Sequence, residues 1–71
     1  MQEAKMGLTI EEAATYSGIG RNTMRRLIDW GKIPVLKVGR KTIIRRDTLE
    51  EFLEVNQGRN LMAEEDVKSV V

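Results

Sequence analysis

The chain has 71 residues, 12 Lys or Arg against 11 Asp or Glu, 41% hydrophobic residues, and neither Cys nor His. That length allows one small domain, close to the lower limit for folding alone. Without Cys or His there is no disulfide, no thiolate or imidazole metal site, and no histidine general base, so no cofactor and no enzymatic activity are expected.

The N-terminal residues MQEAKMG are polar, with no signal-peptide core and no long apolar run behind them, which predicts a soluble, cytoplasmic protein with a flexible stretch over residues 1–7. Thr9-Ile10-Glu11-Glu12 then reads as a capping box. The Thr9 hydroxyl can accept from the Glu12 amide while the Glu12 carboxylate reaches back. A first helix is predicted over residues 10–17, with Leu8 stapling onto Ala13. Gly18-Ile19-Gly20 breaks it, with Ile19 tucked inward.

A second helix is predicted over residues 21–30. Met24, Leu27 and Ile28 fall at i, i+3 and i+4 and form one apolar stripe, with Arg21, Asn22, Arg25, Arg26 and Asp29 off it. Gly31 and Pro34 close the helix, and Trp30 is expected to cover the edge of the core. Val35 to Val38 and Thr42 to Arg46 alternate or are β-branched, and Gly39-Arg40-Lys41 lies between them, so a basic hairpin is predicted. Asp47-Thr48-Leu49-Glu50 reads as a variant capping box opening a third helix to about residue 57, with Leu49, Phe52 and Leu53 inward and Gly58 ending it. Residues 58–71 have weak periodicity and are expected to form a mobile tail.

The order helix, tight turn, helix, hairpin, helix is that of a winged helix-turn-helix. The predicted fold class is therefore α+β, mainly α, with residues 8–57 as the domain. Charge sharpens this reading. Residues 18–46 hold nine Lys or Arg and one acid, Asp29, while residues 47–71 hold seven acids against Arg59 and Lys68. A basic centre between acidic ends suggests a polyanionic partner. Double-stranded DNA fits, because a helix enters the major groove and a basic wing reaches phosphates or the minor groove.

Chemistry divides the candidate contacts. Arg25 and Arg26 offer planar forks to guanine or phosphate, and Asn22 has the donor and acceptor pair that suits adenine. Arg21 and Thr23 sit near the helix start, where phosphates are held. Lys37, Arg40, Lys41, Thr42 and Arg45 belong to the wing, whose cations would anchor on the backbone. Basic strand edges also protect against aggregation, and charged helix faces are commonly just solvated. The coincidence of both with this element order favours DNA.

Residues 8–53, LTIEEAATYSGIGRNTMRRLIDWGKIPVLKVGRKTIIRRDTLEEFL, resemble the excisionase family of small winged helix-turn-helix proteins, related to DNA-binding domains of the MerR type. The resemblance rests on LTIEEAA, the G-I-G turn, L-I-x-x-G-K-I-P, V-G-R and D-x-L-E-E-F-L. Gly20 stands where many relatives have Ser, and Arg45 where many have Pro. The resemblance implies a recombination directionality factor: a protein that binds and bends DNA near the attachment sites of a prophage or mobile element and promotes integrase-mediated excision. It also implies an integrase (tyrosine recombinase) partner and cooperative self-association on DNA. A small MerR-like transcription regulator and a protein-interaction adaptor of winged fold are the alternatives.

Overall fold

In the computed structural model, which describes residues 5–71, the elements follow the order β1 (Gly7–Leu8), α1 (Ile10–Ser17), α2 (Arg21–Asp29), β2 (Leu36–Val38), β3 (Lys41–Arg45) and α3 (Arg46–Val55), with a single 3-10 turn at Glu64–Asp66. The winged helix-turn-helix expectation is met, with one more strand than predicted. Part of the expected flexible N-terminus, residues 1–4, lies outside the described residues.

The capping box opens α1 as expected. The Glu12 amide donates to Thr9 Oγ1 at 3.1 Å and the Thr9 amide donates to Glu12 Oε1 at 3.0 Å. The Lys5 ammonium, 2.8 Å from Glu12, and then the Thr9 amide hold the Glu12 carboxyl below its ordinary value. The stabilisation from this pair is complete above the usual carboxylate range and fades as pH falls through the lowered pKa. Gly18, at φ 81°, closes α1, and its amide donates to the Ala14 carbonyl at 2.9 Å. Ile19 packs inward on the core.

α2 starts at Gly20 without a side-chain cap. It ends in a Schellman motif: Gly31 N–H donates to Ile28 O at 2.9 Å and Lys32 N–H to Leu27 O at 3.0 Å, with Gly31 at φ 74°. The chain then runs through buried Ile33 to the wing. β2 and β3 are antiparallel, with Val38 opposite Lys41, so Gly39 and Arg40 form a two-residue turn. Only Gly39 of the pair has positive φ, which identifies a type II′ turn.

β1 completes a three-stranded sheet in the order β1-β3-β2, pairing Gly7 with Arg45 and Leu8 with Ile44. A strand of two residues carries no readable period, so β1 leaves no signal in the sequence. Gly7 permits the approach: a Cβ there would stand 2.7 Å from Ile43 Cγ2.

The third helix corrects a second expectation. It begins at Arg46, directly after β3, and the Asp47 capping box does not form. The pairing of β1 holds this junction, because the Arg46 amide donates to Met6 O at 2.8 Å. Asp47 falls in the first turn, where its charge still favours the helix start. It accepts from the Thr48 amide at 2.9 Å and pairs with Arg45 at 2.8 Å.

The core lies where the three helices meet β3. Met24, Leu27, Ile44, Leu49 and Phe52 are fully buried in it, and Ile28 and Trp30 pack on its edge. Leu53 is only half-buried. The tail differs from the mobile segment expected. Val67 is 5% exposed and belongs to the core. Asn56, the one buried polar residue among the described residues, donates through Nδ2 to Phe52 O at 2.9 Å and Lys68 O at 3.0 Å, and Oδ1 accepts from the Lys68 amide at 2.7 Å. The Val70 amide donates to Lys32 O at 3.0 Å. Periodicity could not reveal this docking, because the segment packs as an irregular chain, with Val67 in the core, Leu61 and Val70 against it, and its backbone held by Asn56 at the end of α3.

Asn56→Ala strips the Lys68 amide and carbonyl of their partner. We expect about 1–2 kcal/mol lost in urea unfolding. A loss within error would mean that the tail docks without this clamp.

Candidate nucleic-acid interface

The wing and α2 meet over a shared concavity. One groove, about 360 Å³, is lined by Thr9, Ile10, Glu11, Arg25, Arg40, Lys41 and Thr42. A second hollow, about 170 Å³, is lined by Ile10, Arg25, Ile28, Asp29, Lys37 and Thr42. They share Ile10, Arg25 and Thr42, so they form one continuous surface. Arg25 and Arg40, fifteen positions apart in sequence, therefore line the same flank of the molecule.

Strand alternation explains which wing residues take part. Thr42 shares the face of buried Ile44, turned toward the helices, and Lys37 stands opposite Thr42 in the register. Lys37 Nζ donates to Thr42 Oγ1 at 2.9 Å, which fixes the cation over the hollow. Arg40 reaches the groove from the turn and Lys41 from the first position of β3. Arg21, at the first turn of α2, pairs with Glu11 at 3.0 Å on the groove's wall. Both groups are well exposed, so this pair contributes little to stability and leaves the guanidinium available. Asn22 is exposed beside it and Thr23 is half-buried.

Five sequence candidates, Arg21, Asn22, Thr23, Arg26 and Arg45, fall outside the groove lining, the last two well away from it. Arg45 alternates onto the outer face of the sheet, beside Pro34, Leu36 and Ile43, and pairs with Asp47. Arg26 packs against Trp30 and the tail, with its guanidinium carbon 5.9 Å from the ring centroid. Arg46 borders a hollow with Lys5, Leu8 and Tyr16. The Tyr16 hydroxyl donates to Glu50. That carboxylate, foremost among the causes, raises the Tyr16 pKa.

Thr9 and Glu11, which open α1, also border the groove, and Asp29 brings the acid of residues 18–46 into the hollow. Their proximity to the wing depends on how α1 and α2 pack on β3, which spacing along the chain does not encode.

Two helices joined at a tight turn and followed by a sheet-borne wing define a small winged helix-turn-helix. The profile of the helix-turn-helix domain family matches residues 8–57, more than half of the chain, and the protein belongs to that family. Membership points to DNA as the partner. Among curated proteins and among solved structures no match was found. No helix of the described residues is long and apolar enough to cross a membrane.

Proposed function

We propose that this protein is a non-enzymatic, sequence-selective DNA-binding protein of excisionase type. On this reading it binds and bends duplex DNA near attachment sites and promotes integrase-mediated excision of a prophage or mobile element. The observation that carries the reading is the placement of Arg25, Lys37, Arg40 and Lys41 around one groove. Helix and wing then address the same duplex together. α2 lies in the major groove, where Arg25 and Asn22 meet base edges, while Arg21 and Thr23 meet phosphates at the helix start. Arg40 and Lys41 reach the adjoining backbone or minor groove, and Lys37 and Thr42 line the surface between. Arg45 lies farther out, where it meets phosphate only if the duplex wraps around the wing.

The excision role rests on the sequence resemblance over residues 8–53. Several copies would occupy neighbouring sites and deform the duplex, at a cost of about 1–6 kcal/mol that the added contacts must offset. Its partners would be double-stranded DNA, a tyrosine recombinase and further copies of itself.

Gel shifts on random duplex DNA test the first layer. With about five phosphates neutralised, log K should fall against log salt with a slope near −4.5. A flat response would instead favour a protein-interaction adaptor. An excision assay with a tyrosine recombinase and paired attachment sites tests the second layer. Recombination that proceeds equally well without this protein would leave transcription control as the better reading.

A further inference from the structure

Arg25 and Arg26 are adjacent and chemically identical, yet a helix turns about 100° between them. Arg25 lines the groove. Arg26 is half-buried, stacks toward Trp30 one turn onward, and points Nη1 at Met62 Sδ, 3.3 Å away in the tail. The same tail is seated by Val67 in the core and by the Asn56 clamp. Beyond the clamp it bonds to the carbonyls of Gly31 and Lys32: Ser69 Oγ donates to Gly31 O at 3.3 Å and the Val70 amide to Lys32 O at 3.0 Å.

Gly31 and Lys32 begin the link from α2 to the wing. Their own amides are committed to the end of α2. Their carbonyls are committed to the tail. The link is thus held from both sides, and its path sets how far the wing stands from Arg25.

We propose that Arg26 is a positioning residue rather than a DNA contact: it fastens the tail to α2, and the tail fixes the α2-to-wing spacing that shapes the groove. The effect on binding rests on the DNA-binding reading; the fastening does not.

The test uses the full chain with Arg26→Ala, Arg26→Met and Arg25→Met. Met keeps an apolar stem on Trp30 and removes the charge. The first measurement needs no DNA. Exchange of the Lys68 amide, which donates to Asn56, should quicken about two- to fivefold in Arg26→Ala. It should stay at the wild-type rate in Arg25→Met. An unchanged rate in Arg26→Ala overturns the fastening.

The second measurement is the salt dependence of binding to random duplex. A fourth variant, Arg40→Ala, removes a wing contact to the backbone and should make the slope shallower by about 0.9, one phosphate's worth, whereas Arg26→Met should keep the wild-type slope. If Arg26→Met also loses about 0.9, Arg26 meets phosphate and the proposal is overturned. A wild-type protein with no salt-sensitive binding would refute the DNA reading alone, and the exchange rates would still decide the fastening.

Discussion

Phe52→Ala is expected to lower the stability of the fold by about 3–5 kcal/mol. Phe52 is fully buried and stands first by volume among the buried side chains. It lies on α3 in the same cluster as Met24 and Leu27 of α2 and Ile44 of β3, so its removal opens a hole shared by three elements. Its carbonyl also anchors the Asn56 side chain, so collapse of α3 into the hole would strain the tail clamp. A chain of this length has about 4–11 kcal/mol of stability in all. The variant should therefore be partly unfolded at 37 °C, visible as a large fall in the urea midpoint. Phe52→Leu, closer in volume, should cost much less. Equal losses for Ala and Leu would mean that ring shape, not filled volume, governs this site.

Arg25→Ala should weaken binding to a preferred DNA site by about 1–3 kcal/mol and relax preference at one base position. The paired change Arg40→Ala with Lys41→Ala should act differently. It should weaken every duplex similarly and make the salt slope shallower by about 1.8, because two backbone contacts are lost. The distinction follows from the elements. Arg25 projects from a helix whose width matches the major groove, whereas Arg40 stands at the wing's turn and Lys41 at the first position of β3. Competition assays with selected and random duplexes separate the two effects. If both variants lose the same factor on both DNAs, the division between reading helix and anchoring wing does not hold.

What was legible in the sequence was what local chemistry decides. Thr9 with Glu12, Gly18, the stripe of Met24 and Leu27, and Gly31 each act within a few residues, and each does in the fold what its spacing suggested. What escaped depends on distant partners. β1 exists only because Ile44 and Arg45 offer an edge to Gly7 and Leu8. The Asp47 cap was displaced because that same edge pulls the helix start back to Arg46. Val67 became core because α3 and the α2-to-wing link leave a gap that its segment fills.

The candidate site shows the same division. Helical periodicity put Arg25 and Arg26 together on the polar side of α2. It could not show that the tail would occupy Arg26 while Arg25 remained over the groove. Alternation placed Lys37 and Thr42 on one face only once the register was known, and that register separates them from Arg45.

The junction of β3 and α3 has a mechanical consequence. No loop separates Arg45 from Arg46, so the hairpin and the third helix are one stiff lever without a joint. A rigid tool of this kind meets its target with a preset curvature. On the DNA-binding reading, the compliance needed for a close fit must come from the double helix itself, at its softest base steps.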